Sequence, residues 1–299
     1  MTYQAPQNEH ELRDQLFITL QYLLPQHLLS RGVGWLAECE MASIKNLLIK
    51  QFIRHFHVDM EEAAEPDYEK YKNFNHFFTR ALRAGARPLA AGDCIISPAD
   101  GAISQLGAIR EGRILQAKGQ DFSVLELLAG QVALAQHFDQ GSFATIYLSP
   151  RDYHRVHAPI SGTLDQMIYV PGDLFSVNNT TAHHVPRLFA RNERLVTVFD
   201  TAIGKVAVIL VGALIVAGIE TSWGGQVAPP LKKSAVLYSR HPTPVVLDKG
   251  AELGRFKLGS TVILLFGKNT IQLEERLGVY SPIRMGEKLA RVLSVAPGL

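Results

Sequence analysis

The chain has 299 residues, 47% hydrophobic and 19% charged, with 30 Lys+Arg against 28 Asp+Glu for a formal charge of +2. That composition excludes intrinsic disorder and leaves enough apolar mass for one large or two modest domains. The balanced charge excludes a general nucleic-acid binder, whose affinity needs many phosphate contacts; two distant cysteines, Cys39 and Cys94, exclude a disulfide framework and a Cys-based zinc site.

Glu9, Glu11 and Asp14 precede the first apolar stretch, without a basic start or a small-residue cleavage site. A secretory signal is disfavoured, and the protein is expected to stay on the cytoplasmic side. Leu12, Leu16, Phe17, Leu20, Leu23 and Leu24 recur at helical spacing up to Pro25, and Trp35, Ile44, Leu47, Leu48, Ile53 and Phe56 repeat the pattern. The spacing predicts two amphipathic helices. Lys45, Lys50, Arg54 and His55 accompany the second stripe, so these helices either cover a protein core or lie in a lipid interface. Phe74, Phe77, Phe78 and Leu82 with Arg80, Arg83 and Arg87 predict a third helix before Pro88, its basic flank facing anionic headgroups or solvent. Between them, Glu61, Glu62, Glu65, Pro66 and Asp67 read as a solvated linker and the main boundary. The expected units are a helical region over 1–66, a connecting segment over 67–90 and a β-rich catalytic domain over 91–299.

From about residue 91 short apolar runs alternate with turn pairs such as Ser161-Gly162, Pro171-Gly172 and Lys249-Gly250. Thr145 to Leu148, Leu195 to Phe199, Val206 to Val211 and Thr261 to Phe266 have the composition of buried strands, and Val124 to Leu128 suits one short helix. The fold class is therefore α+β. The longest apolar run, Val206 to Ile219, is shorter than the about 20 residues that a spanning helix needs. Ser97-Pro-Ala-Asp-Gly-Ala-Ile103 and Ala158-Pro-Ile-Ser-Gly-Thr-Leu164 share a Pro-x-x-Gly-x-apolar pattern, with Ser281-Pro-Ile-Arg-Met-Gly286 as a looser third case. These phrases resemble the turns of barrel-sandwich domains.

Three places can carry chemistry: Asp100 in Pro-Ala-Asp-Gly, His154 and His157 in Tyr-His-Arg-Val-His-Ala-Pro, and Ser260 in Leu-Gly-Ser-Thr. Taken singly, each has a structural reading. An Asp before Gly forms turns, and histidines three apart are metal ligands on a helix but point to opposite faces of a strand. Ser260 lies outside a Gly-x-Ser-x-Gly elbow, and neither His-Glu-x-x-His nor a Walker or Rossmann glycine loop occurs.

Taken in order along the chain, with Val170-Pro-Gly-Asp-Leu-Phe-Ser-Val-Asn178 between the histidines and the serine, these phrases resemble the phosphatidylserine decarboxylases, of the short bacterial type. The resemblance implies that the chain cuts itself between Gly259 and Ser260 into a 1–259 β chain and a 260–299 α chain, and that Ser260 becomes a pyruvoyl group. In that scheme His157 is the base for the Ser260 hydroxyl, and Asp100 holds the imidazole in the accepting tautomer. The pyruvoyl carbonyl would form a Schiff base with the substrate amine, His154 would give the proton that replaces carbon dioxide, and no metal is involved. The resemblance assigns no chemical role to the Val170–Asn178 phrase. It implies phosphatidylserine as substrate and a peripheral position on the cytoplasmic side of the cell membrane, with oligomeric state left open. The rival expectations are a pyruvoyl decarboxylase for another serine phospholipid or an amino acid, a serine hydrolase using Ser260, His157 and Asp100 directly, and a non-catalytic carrier domain.

Overall fold

The computed structural model describes residues 7–117, 119–214, 218–228, 237–239, 243–257 and 260–293. Three helices open the chain, α1 (Gln7–Leu23), α2 (Gln26–Ala37) and α3 (Ala42–Phe56), where two were expected. Proline cannot continue a helix, so α1 stops at Leu23 and Pro25 caps α2. The second apolar stripe then breaks again at Glu38, whose carboxylate accepts hydrogen bonds from Asn73 Nδ2 at 2.7 Å and Asn75 Nδ2 at 2.8 Å. Those contacts fasten the end of α2 to α4 (Phe74–Phe78). Ile49, Tyr71, Phe74, Phe77 and Phe78 form a small core between α3 and α4, while Leu20, Leu23 and Leu28 stay exposed, as does Trp35 at 79%.

Two expectations for this region are corrected. Only part of the basic flank of the third helix faces outward: Arg83 is exposed, but Arg80 is only 4% exposed and the Arg87 side chain 6%. The acidic linker is not freely solvated either, because Glu62 pairs with Arg87 at 2.6 Å and with Arg284 at 3.1 Å. Charge pairing drew both segments inward, a contact between distant residues that local charge patterning does not register.

The remainder is built on one large antiparallel sheet. Its order runs Leu237–Ser239, Gly162–Val170, Arg194–Thr201, Gly204–Val211, Ser260–Phe266, Ser142–Leu148, Gly101–Ala108, Pro282–Ile283, and it does not close into a barrel. One face carries a four-stranded sheet containing Arg155–His157 and Glu252–Lys257, and a three-stranded sheet containing Cys94–Ile96. The other carries the Arg113–Ala117/Gln120–Ser123 hairpin and short helices such as Val124–Leu127 and Leu188–Arg191. A strand covered on both faces reads as a continuous apolar run. Ser260–Phe266 shows it: Val262, Leu264 and Phe266 enter one core, Ile263 and Leu265 the other.

Candidate active site

Strand register assembles the site. Thr261 faces Val211 on one side and Tyr147 on the other, and Tyr147 in turn faces Ala102. Ser260, Leu148 and the Asp100-Gly101 turn therefore end at one edge of the large sheet, two strand spacings apart, roughly 10 Å across the backbone. Gly101 permits the close start of its strand. A Cβ there would sit 2.2 Å from the Tyr147 carbonyl oxygen, a contact no side chain tolerates.

Ser260 is fully buried, and its hydroxyl has no hydrogen-bond partner among the described residues. Alternation along the strand points it to the face of Val262 and Leu264, the face covered by the four-stranded sheet that carries His157. Gly259, the expected partner in cleavage, lies outside the described residues, as does Leu258.

His157 reaches the Asp100 turn through its backbone, donating N–H to the Pro98 carbonyl at 2.8 Å. Its Nδ1 is 2.8 Å from the Gly250 carbonyl oxygen and its Nε2 3.0 Å from the Tyr153 hydroxyl. A carbonyl only accepts, so Nδ1 carries the hydrogen and Nε2 presents a lone pair to the Tyr153 O–H. Burial holds the His157 pKa below its ordinary value and lifts that of Tyr153 to about 12. The base form is thus built in, with its tautomer chosen.

The tautomer is not chosen by Asp100. Among the described residues its carboxylate accepts from Arg87 Nε at 2.9 Å, from Arg87 Nη2 at 2.6 Å and from the Met285 backbone N–H at 2.8 Å. A buried guanidinium with matching fork geometry outcompetes a neutral imidazole for a carboxylate, and that displaces the expected Asp100–His157 contact. Asp100 instead ties a residue after Ser260 to residues before it.

His154 is fully buried, with its ring 4.0 Å from that of Phe78 and nearly parallel. The carbonyls of Pro150 and Ser149 approach it, but neither ring nitrogen makes a well-formed hydrogen bond. Burial first, and the Arg80 charge second, push its pKa down to about 3, so the ring is neutral. Structure brings His154 and His157 to one edge of the sheet but in unlike settings, one orphaned and one held at both nitrogens.

The Val170–Asn178 phrase receives the amino-terminal helices. Leu174 N donates to Gln26 Oε1 at 2.7 Å and Ser176 N to Gln21 Oε1 at 3.0 Å, and the Phe175 ring meets Tyr22 edge-on. Above α3 and α4 an apolar cavity of about 470 Å³ is lined by Leu36, Phe52, Phe56, Phe74, Phe78, Pro150 and Leu214. Phe78 links that cavity to His154, and Pro150 lies two residues beyond the partner of Ser260 in the register.

Sequence reasoning missed Tyr153, Arg87 and the Gly250 carbonyl. Tyr153 stood inside the quoted histidine phrase and was the one available signal.

The family model described as phosphatidylserine decarboxylase matches residues 74–291, and one described as PSD matches residues 16–57. The phosphatidylserine decarboxylase proenzyme of Azotobacter vinelandii is 57% identical over 284 residues, covering 94% of this chain and 99% of that protein. Proenzymes of the same name from Stutzerimonas stutzeri and Pseudomonas aeruginosa (strain LESB58) are 56% and 58% identical, covering 95% and 93% of this chain and 97% of each of those proteins. With such matches across both the helical and the β-rich parts, the chain belongs to the phosphatidylserine decarboxylase family.

Proposed function

We propose that the chain cuts itself between Gly259 and Ser260 and that the mature form converts phosphatidylserine to phosphatidylethanolamine. One observation carries the reading: an unpartnered, buried Ser260 hydroxyl opens a central strand on the face covered by a histidine whose Nε2 lone pair is fixed. A buried hydroxyl without a partner is costly, and a nucleophile awaiting attack accounts for it. The Ser260 oxygen attacks the carbonyl before it and exchanges an amide for an ester. Its proton goes to His157 Nε2, with the Tyr153 hydroxyl moving aside or passing the proton along. Elimination across Ser260 then breaks the ester, and water replaces ammonia to leave a pyruvoyl end on the 260–299 chain. At residue 260 that group would supply a carbonyl for the substrate amine and an electron sink for the loss of carbon dioxide.

The protein's residues do the rest. His154, neutral and fully buried against Phe78, donates a ring N–H proton to the substrate carbon and takes a proton back from solvent as the product leaves. The sheet keeps the two chains together after the cut, because Ser260–Phe266 pairs on both edges and Asp100 grips Met285. The apolar cavity beside Phe78 suits acyl chains, which favours a lipid over a free amino acid. No helix among the described residues is long and apolar enough to cross a membrane, and the exposed Leu20, Leu23, Leu28 and Trp35 suit peripheral docking on a bilayer.

Intact-mass analysis tests the cut. Two fragments are expected, the smaller beginning at position 260 with a blocked amino terminus, and a Ser260→Ala chain stays whole. His157→Ala is expected to remain one chain, whereas His154→Ala cleaves but decarboxylates poorly. An uncut, active wild-type chain, or activity indifferent to hydroxylamine, overturns the reading.

A further inference from the structure

Two buried arginines of this chain lack a carboxylate partner among the described residues, and they differ in how their donors are satisfied. Arg194 spends its guanidinium on backbone carbonyls: Nε on Leu127, Nη1 on Ala190 and Asn192, Nη2 on Glu126. Arg80, 4% exposed, gives Nη2 to the carbonyls of Arg151 at 3.0 Å and Asp152 at 3.5 Å and lies over the Phe77 ring, 5.5 Å from its centroid, but its Nε and Nη1 are buried without a hydrogen-bond partner. A desolvated cation left in that state is strongly disfavoured unless an anion joins it.

Its position says which anion. Arg80 lines a polar cavity of about 320 Å³ together with Arg87, Asp100, Arg151, Asp152 and Tyr153. The carboxylates there have other partners: Asp100 and Glu62 have Arg87, Asp152 accepts from the Ser149 N–H and hydroxyl, each at 2.7 Å, and Asp59 accepts from the Glu61 N–H at 2.9 Å. The Arg151 carbonyl it grips lies three residues beyond Leu148, the register partner of Ser260, and the Arg80 charge adds to burial in lowering the His154 pKa. On the far side α4, which ends two residues before Arg80, carries Phe74 and Phe78 into the apolar cavity. A lipid seated with its chains in that cavity and its amine at Ser260 carries its phosphate between them, a few bonds from the amine.

We infer that Arg80 binds the phosphodiester of the substrate headgroup, using the Nε and Nη1 donors that the protein leaves unpaired. The inference rests on the decarboxylase reading and names the group that fixes its substrate. The phosphodiester is preferred to the carboxylate on chemical grounds. A cation holding the carboxylate would stabilise the ground state and lose its partner as carbon dioxide forms, opposing the reaction, whereas the phosphodiester keeps its charge throughout and is bound equally in ground and transition state.

That difference appears in the kinetics of the mature enzyme on monomeric dihexanoyl phosphatidylserine. For Arg80→Met the loss is expected mainly in KM, a rise of about 10- to 100-fold from losing two charge-assisted hydrogen bonds, with intact mass showing complete cleavage. Arg80→Lys restores part of it, as a point charge without the fork. Glycerophosphoethanolamine, which has the phosphodiester and lacks the carboxylate, is expected to compete at least tenfold more weakly against Arg80→Met than against wild type, and ethanolamine equally against both. Inorganic phosphate competing as strongly as glycerophosphoethanolamine would make this a free-anion site and overturn the headgroup assignment. So would a loss confined to kcat, an unchanged KM, equal competition by glycerophosphoethanolamine, or an Arg80→Met chain that does not fold or cleave, which would mark a structural arginine. Wild-type protein that cleaves and leaves the lipid intact overturns the decarboxylase reading itself.

Discussion

Acid should weaken this fold through His154, and the size of the effect follows from the burial of its ring. In the unfolded chain the imidazole titrates near its ordinary 6.5, whereas in the folded protein its pKa is pushed down to about 3. Above pH 6.5 the ring is neutral in both states and costs nothing. As pH falls below 6.5 the unfolded state takes up a proton that the folded state refuses, so stability is lost progressively until about pH 3. At pH 5, one and a half units below 6.5, the loss is about 2 kcal/mol. Replacing the ring by phenylalanine keeps an aromatic against Phe78 and deletes both unpartnered nitrogens. Urea unfolding at pH 7 and pH 5, on a Ser260→Ala background that keeps one chain, measures the effect. The chain with His154 should lose about 2 kcal/mol more between the two pH values than the His154→Phe chain. At pH 7 the phenylalanine chain should be at least as stable, since no buried donor or acceptor is orphaned. Equal losses in the two chains would refute the argument.

Three further outcomes are expected. Asp100→Asn leaves Arg87 with Glu62 as its remaining carboxylate and should cost about 1.5 to 3 kcal/mol in urea unfolding, above the about 1 kcal/mol of an exposed pair such as Arg113–Asp121. Gly101→Ala forces a methyl against the Tyr147 carbonyl and should cost about 1 to 3 kcal/mol, with self-cleavage slowed because the same turn carries Asp100; a thermal melt and intact mass on one sample check both. Self-cleavage in cell-free translation should keep more than half its rate at pH 6.5 and fall further into acid, because burial keeps the His157 pKa below 6.5 and its base form neutral. A rate already halved at pH 6.5 would contradict that assignment.

Much of the architecture was legible in residue order. Thr261 to Phe266 and Val206 to Val211 read as buried strands because both their faces are covered, and both strands lie centrally in the large sheet. The helical opening was legible too, but its division at Glu38 depends on Asn73 and Asn75, which hold that carboxylate from more than thirty residues away. The same limit applied to charge. Arg80, Arg87 and Glu62 read as a basic flank and a solvated linker, since local patterning sees neighbours in the chain and not the partner that draws a charge inward.

By itself the sequence determined the family and the α+β composition, and it offered Asp100, His154, His157 and Ser260 as candidates, because reactive groups must be particular residue types and so leave motifs. Tertiary structure alone decided how they are wired. The hydrogen bond that sets the His157 tautomer goes to the Gly250 backbone carbonyl, 93 positions along the chain. A backbone carbonyl belongs to every residue alike and leaves no mark in the sequence. Asp100's grip on Arg87 and Met285, and the unpaired donors of Arg80, likewise arise only when distant strands and turns close on one another and exclude water.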